Sequence, residues 1–364
     1  MKMGPSAPLL LVSGLPLHRR SSFSRQLDCL ASAWIRKGRS VYLCGPVYSG
    51  PPGGCWAVQG AETSALQFEE LVERIGAEAL IALGYPDQFP FLSTRRGEPD
   101  ERPPFFLWSQ FSRVPRSGLP EGPVYVPLTE KTLEFLRVAA CSRAGPVIAH
   151  GVDTSVFEPA PEPGGGRSGL FVIGAVGNNS RRKRFDLIIR SFARFARRRP
   201  DSRLLIKTDR PVSPDGVDLP ALCVREGVAD RAEILAKELG DRAMAELYRR
   251  MDLFLNLSEW EGFCIPVIEA MACGLPVACL PIQGPGEFLP YRETLIPGSL
   301  VREEEGTVLY EADPRSVLQV LLAVAGSAEL RARLSRQGRA AAVGLYDIRR
   351  IAAQWEALLQ GAVP

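Results

Sequence analysis

Short apolar runs alternate with helix-like stretches twice along this chain, and a proline- and glycine-rich break separates the two series. In the first series PLLLVSG (8–14), SVYLCG (40–45), EALIALG (78–84), FFLWSQ (105–110) and GPVYVPL (122–128) read as strands. Between the first two, Ser24–Lys37 places Leu27, Leu30, Ala31, Trp34 and Ile35 at helical spacing and meets Gly38 at its end. Residues 65–75 read as a second helix. The break is FEPAPEPGGGRSG at 157–169, with no apolar periodicity. The second series then runs through strand LFVIGAVG, helix 185–199, strands RLLIK and AEILAKEL, helix 241–251, strand LFLNL, helix 266–273 and strand PVACL. Strand–helix–strand alternation of this kind builds parallel, doubly wound sheets. The expected fold class is therefore α/β with two Rossmann-like domains. The expected boundaries are 1–156 for the first domain, 157–169 for the linker, 170–345 for the second domain and 346–364 for a terminal helix. That helix, YDIRRIAAQWEALL, is expected to pack on the body or to cross back to the first domain.

The bulk numbers agree with two domains, because 364 residues exceed one ordinary core. A composition of 46% hydrophobic and 23% charged residues is that of a soluble globular protein, and a net charge of +3 indicates no nucleic-acid partner. Eight scattered cysteines without a CxxC pair read as buried free thiols in a reducing compartment. With His18 and His150 as the only histidines, no metal site is expected. No apolar run is long enough to span a membrane, and the N-terminus lacks a leader pattern. The expected location is the cytoplasm, with peripheral contact at the inner face of the membrane left open. Arg19, Arg20, Arg25, Arg36, Lys37 and Arg39 gather charge around the first helix, although a solvated face is the commoner explanation for them.

The chemistry concentrates in SEWEGFCIPVIEAMACGLPVA at 258–278. Glu261 falls in the loop after strand LFLNL, and Glu269 is expected in the first turn of the following helix, whose start is set by Pro266 and whose end is set by Gly274 and Pro276. Ligands of open α/β sheets bind beyond the carboxyl ends of the strands, so this loop lies at such an edge. A helix N-terminus offers amides, here about Phe263 to Val267, that suit phosphate oxygens. Two carboxylates beside a phosphate site would repel it unless they accept hydrogen bonds from sugar hydroxyls. A nucleotide sugar has both parts. Helix capping alone is the competing explanation of the pair. A second edge loop, VGNNSRRKRFD, brings Asn178, Asn179, Arg181, Arg182, Lys183 and Arg184 to the end of strand LFVIGAV, where cations would neutralise phosphates.

These residues resemble the retaining glycosyltransferases of family 4, which have the GT-B fold. EGFCIPVIEAMACGLPV is similar to that family's Glu-x7-Glu signature EGFGxPxxEAMAxGxPV. HGVDTSVFEP (150–159) and VGNNSRRKRFDLIIRSF (176–192) look like two further family segments, and the likeness is vaguer over the first 120 residues. The resemblance implies that Glu261 contacts hydroxyls of the donor sugar, Glu269 the ribose, and Lys183 the diphosphate. It implies that the backbone of Gly262, Phe263 and Cys264 holds sugar and phosphates. Gly14, in the loop Ser13–Gly14–Leu15, is expected to face the diphosphate from the other domain, and Glu287 in QGPGEFL to lie near the nucleotide. Three departures stand out. Asn178 occupies the place of the family arginine, leaving Arg181 or Arg182 to replace it. Cys264 stands for the usual glycine. The usual first-domain histidine is not evident, although LGYPDQ places Tyr85 and Asp87 where polar contacts often occur. His150 has mainly a structural role by the same resemblance, and His18 reads as a surface residue.

The sequence is thus expected to encode a metal-independent, retaining hexosyltransferase. It would use a UDP- or GDP-sugar as substrate, need no cofactor, and act on a sugar-containing or lipid acceptor. A nucleotide-binding GT-B subunit without activity and a GT-B nucleotide-sugar epimerase remain as alternatives.

Overall fold

The structure is a computed structural model that describes residues 7–14, 21–45, 65–89, 102–109, 119–139, 141–160, 169–304 and 307–361. The chain divides into two units, Met1–Gly151 joined by Ile348–Pro364, and Val152–Asp347.

The sheet of the first unit contains β1 (Leu9–Ser13), β2 (Val41–Cys44), β3 (Ala79–Leu83), β4 (Phe105–Ser109) and β5 (Val124–Pro127). Their order is β2-β1-β3-β4-β5, and all neighbours are parallel. β1, β3 and β4 are buried at every residue, because a parallel sheet is covered on both faces. This explains why they read as continuous apolar runs. Among the described residues, four helices belong to this unit: α1 (Ser22–Ile35), α2 (Ala65–Ile75), α3 (Glu130–Val138) and, from the far end of the chain, α11 (Ile348–Leu359). The Ser21 hydroxyl caps α1 by accepting from the Ser24 amide at 3.1 Å.

The return of α11 to the first unit is driven by its apolar stripe. Ile348, Ile351, Ala352 and Trp355 are all 0% exposed. The Trp355 ring stands edge-on to Trp108 at 5.4 Å and to Phe106 at 5.9 Å. Arg39, at the end of α1, pairs with Glu78 and, at 3.6 Å, with Glu356 of α11. It therefore ties elements together and is not part of a solvated basic face. Arg19, Arg20 and His18 lie outside the described residues.

His150 is buried, 4.8 Å from Trp108 in a T-shaped contact, and burial holds its imidazole at about pKa 3 against 6.5 when free. The folded protein therefore keeps this ring neutral while the unfolded chain takes up a proton, so its contribution is complete above pH 6.5 and lost progressively as pH falls toward 3. Relative to His150→Phe, the natural protein is expected to lose ~2 kcal/mol of unfolding free energy between about pH 6.5 and about pH 5. Urea unfolding of both proteins at the two pH values measures this difference.

The second unit has a sheet of β6 (Phe171–Val176), β7 (Ser202–Lys207), β8 (Ala232–Leu235), β9 (Leu253–Asn256) and β10 (Val277–Cys279). Its order is β10-β9-β6-β7-β8, again parallel throughout. The run AEILAKEL forms strand only over Ala232–Leu235, as a half-exposed edge. Helices α4 (Phe185–Ala196), α5 (Leu219–Arg225), α6 (Asp241–Arg249), α7 (Ile265–Ala272) and α8 (Pro285–Phe288) follow the strands. An antiparallel hairpin of β11 (Gly298–Glu304) and β12 (Thr307–Ala312) comes next, then α9 (Pro314–Gly326) and α10 (Ala328–Leu345).

The second unit begins ahead of the proline-rich break. Phe157 is 2% exposed, its carbonyl accepts from Arg339 at 2.8 Å, and the Glu158 carbonyl accepts from Arg249 at 2.8 Å. These bonds hold the stretch after Gly151 on the second unit. Two parallel-sheet, Rossmann-like units make this an α/β protein, as expected. Among the described residues the cysteines are free thiols, and no helix is long and apolar enough to cross a membrane.

Candidate functional site

In each sheet the chain lays its first strand at an interior position and then builds outward in both directions. The connections on either side of that first strand diverge, and a crevice opens at the carboxyl ends of the two strands flanking the reversal. In the second unit those strands are β6 and β9. The loop after β6 carries the basic run, and the loop after β9 carries Glu261, so the topology brings together residues 78 positions apart.

The loop after β6 forms a 3₁₀ turn, Arg181–Lys183, and passes through a left-handed Arg184 (φ 49°) into α4. Arg184 is held by Asp186 at 3.1 Å, Glu259 at 3.3 Å and Glu311 at 2.9 Å. The Glu259 amide donates to the Arg182 carbonyl at 2.9 Å, which staples the two loops directly. On this frame the Lys183 ammonium contacts Glu261 Oε1, and Arg182 Nη1 donates to Glu261 Oε2 at 2.6 Å. Arg182 also donates to the Trp260 carbonyl at 2.8 Å, and its guanidinium lies 4.8 Å from the centre of the Trp260 ring. Glu261 is 5% exposed. Burial alone would push its carboxyl up, but the Arg182 and Lys183 cations outweigh this and hold it at about 2. Of the two arginines, Arg182 reaches the carboxylate and Arg181 is exposed.

The two asparagines at the end of β6 separate in the structure. Asn178 is exposed, whereas Asn179 is 3% exposed and holds the neighbouring loop through its amide group, which donates to the Val217 carbonyl at 2.7 Å. Asn178 is thus the one of the pair open to a ligand.

Helix α7 starts at Ile265, so Glu269 lies in its second turn and not in the first as expected. Glu269 is 1% exposed and accepts from the Tyr248 hydroxyl of α6 at 2.8 Å. The Val267 amide is already taken by the Cys264 carbonyl at 3.0 Å, which narrows the amides expected to suit phosphate to those before it. Cys264 precedes the helix in the left-handed region (φ 72°). This conformation explains why the signature has glycine there. The thiol accepts from Asn256 at 3.2 Å, and burial, followed by the Glu261 charge, pushes it up to about 12.

Phe263 points into the protein, with its ring 4.3 Å from Phe288 and 6.4 Å from Tyr346. Only its backbone is available to a ligand. Glu287 is exposed and accepts from the Gly284 amide at 3.2 Å, closing the start of α8. The Gln283 amide donates to the Gly262 carbonyl at 3.4 Å, so the 281–288 loop braces the Glu261 loop. Gly284 adopts φ +78°, and a Cβ there would lie 2.4 Å from the Phe263 carbonyl oxygen. Gly284→Ala is expected to cost ~2 kcal/mol or more, since left-handed strain and a backbone clash combine. Thermal unfolding would show this as a fall of roughly 4–8 °C.

In the first unit the reversal lies between β1 and β3. Gly14 follows β1, and its amide donates to the Leu83 carbonyl at 2.9 Å. A Cβ at Gly14 would meet Gln88 Oε1 at 2.3 Å, because that side chain folds back to accept from the Tyr85 amide at 2.8 Å. Tyr85 packs 6.4 Å from Phe23. Asp87 belongs to a 3₁₀ turn, Pro86–Gln88. Leu15 lies outside the described residues.

Sequence reasoning passed over Trp260 and Tyr248, and it grouped Arg184 with the phosphate-neutralising cations, whereas the structure pairs it with Asp186, Glu259 and Glu311. Trp260 sits inside the quoted signature, and its neighbour Glu261 drew attention away from it. Tyr248 becomes visible only once α6 is placed, and the partners of Arg184 only once the hairpin is. Among the described residues no cluster of three or more His, Cys, Asp or Glu could hold a metal ion.

Comparison with known proteins adds to this geometry. A family profile described as Glycosyl transferases group 1 matches residues 170–312. The lipopolysaccharide core biosynthesis mannosyltransferase LpsB of Rhizobium meliloti (strain 1021) is 26% identical over 226 residues, 59% of this chain and 61% of that protein. The chain spans about three fifths of that relative's length and about a third of the next curated relatives it matches. Among solved structures, sucrose-phosphate synthase from Thermosynechococcus elongatus superposes with a TM-score of 0.77 at 15% identity, covering 98% of each chain. Anabaena Alr3699/HepE in complex with UDP and glucose gives 0.73 at 14% identity, covering 98% of this chain and 100% of that one. The segment that holds Lys183, Glu261 and Glu269 is thus similar to the group 1 glycosyl transferases, and the whole chain shares the fold of these solved structures.

Proposed function

We propose that the protein is a nucleotide-sugar-dependent glycosyltransferase. The observation that carries this reading is the convergence of Lys183, Arg182 and Glu261 at the chain reversal of the second sheet, inside the segment that matches the group 1 profile. The donor is a UDP- or GDP-hexose. Support for this class comes from HepE, which was solved with UDP and UDP-glucose, and from the mannosyltransferase LpsB. Lys183 and Arg182 take the diphosphate, Glu261 accepts hydroxyls of the donor sugar, and Glu269, braced by Tyr248, accepts the ribose hydroxyls. The backbone of Gly262, Phe263 and Cys264 lines the phosphates. Asn178 and Glu287 complete the donor contacts on the second unit. As the bond to the sugar breaks, charge develops on the leaving diphosphate, and fixed cations in a partly dry site stabilise it. The reaction needs no metal, because the cations do that work, and it retains the anomeric configuration. The acceptor is a sugar-containing molecule or a lipid.

Phosphorus NMR of the full chain with UDP- and GDP-hexoses tests the reading. Release of nucleoside diphosphate from one donor class, slow with water and faster with an acceptor, is the expected result. Proton NMR of the product anomer then checks retention. A protein that binds the donor nucleotide but never breaks the glycosidic bond, with any acceptor supplied, would contradict the transferase.

A further inference from the structure

Both oxygens of the Glu261 carboxylate are already engaged. Oε1 carries the Lys183 ammonium and Oε2 carries the Arg182 guanidinium at 2.6 Å. At 5% exposure, little of the group is open to solvent. With both oxygens paired and the group buried, a pyranose hydroxyl competes with a cation for this carboxylate. The two cations are not equally free to leave. Arg182 is fixed twice more, by the Trp260 carbonyl and the Trp260 ring. Lys183 is a point charge on a flexible stem. That stem runs across Gly177, where a Cβ would lie 3.1 Å from Cε and 3.2 Å from Cδ, so the missing side chain is what leaves room for the stem.

We propose that a nucleoside diphosphate unmasks Glu261 by drawing Lys183 away from it, so that the site accepts a hexose only alongside the nucleotide. This rests on the glycosyltransferase reading. A diphosphate carries more negative charge than one carboxylate and competes for the mobile cation, whereas the anchored arginine keeps Glu261 oriented. The sugar hydroxyls then replace the ammonium as hydrogen-bond donors to Oε1. Without the nucleotide, a free hexose would have to displace an ammonium from a buried carboxylate, with no second anion to receive it. The device makes donor recognition conditional: the diphosphate is read first, and the sugar second. Since coupling between two ligands is reciprocal, a hexose must tighten nucleotide binding by the same factor that the nucleotide tightens hexose binding.

Calorimetric titration of the full chain with UDP and with GDP, each with and without glucose, mannose, galactose or N-acetylglucosamine, measures the coupling. One hexose is expected to tighten one nucleotide about tenfold, within the usual range of such couplings. The same hexose titrated alone is expected to show no binding. In Lys183→Met the mask is removed, so the nucleotide-free variant is expected to gain hexose binding, with its fold checked by circular dichroism. Nucleotide binding that no hexose changes, or equal hexose binding with and without nucleotide, would overturn the inference and leave the transferase reading intact. So would a folded Lys183→Met that gains no hexose binding. Failure of both nucleotides to bind would overturn the inference together with the reading beneath it.

Discussion

Lys183→Met is expected to lower turnover of the nucleotide-sugar donor by on the order of a hundredfold or more, the scale of a lost electrostatic contact to a developing charge. Methionine keeps the apolar stem that lies across Gly177 and removes only the ammonium. The loss should fall on kcat, because the leaving diphosphate gains charge as the bond breaks. Ground-state nucleotide affinity should fall less. The structural cost is bounded, since Glu261 keeps Arg182 at 2.6 Å and is not left as an unpaired buried charge. That bound sets the fall in stability below the ~3–5 kcal/mol of a fully broken buried pair. Steady-state kinetics with the cognate donor, alongside thermal unfolding, separates the two effects. A variant that loses its fold as well as its rate would point to a structural role for the lysine.

Trp355→Ala is expected to destabilise the first unit by ~3–5 kcal/mol, the range for removing a large aromatic side chain from a packed core. Its ring is 0% exposed and packs against Phe106 and against Trp108, which also touches His150. The helix that carries it comes from the end of the chain and completes the first unit's core. An uncompensated void there approaches the whole stability of a typical domain. Denaturant unfolding followed by tryptophan fluorescence would register the loss. An unfolding free energy within about 1 kcal/mol of the natural protein would mean that α11 merely rests on the surface.

The strands were legible because both parallel sheets are covered on two faces, which turns their sequences into apolar runs such as Leu9–Ser13 and Ala79–Leu83. α1, α4 and α11 were legible because their apolar stripes keep helical spacing. α10 escaped notice because its buried contacts are one leucine, Leu334, and the small residues Gly338 and Ala342, which let it pack closely on α7 but leave little hydrophobic signal. The hairpin escaped because Leu300 and Val301 are more than half exposed, so no alternation marks a core-facing side. At the site, the Glu-x7-Glu spacing located Glu261, and the basic loop located Lys183. Their union was not legible, since it depends on β6 and β9 becoming neighbours. The choice of Arg182 over Arg181 has the same origin, because the 3₁₀ turn decides which side chain turns inward.

The most direct test is thermal unfolding of the natural protein and of Lys183→Met in the presence of UDP, GDP, ADP and dTDP and their sugars. A ligand present at a hundredfold excess over its Kd stabilises the folded state by about 2.7 kcal/mol. The expected result is a clear upward shift with one base class, reduced by the lysine substitution. No shift with any nucleotide, or an equal shift in both proteins, would contradict a donor site built around Lys183 and Glu261.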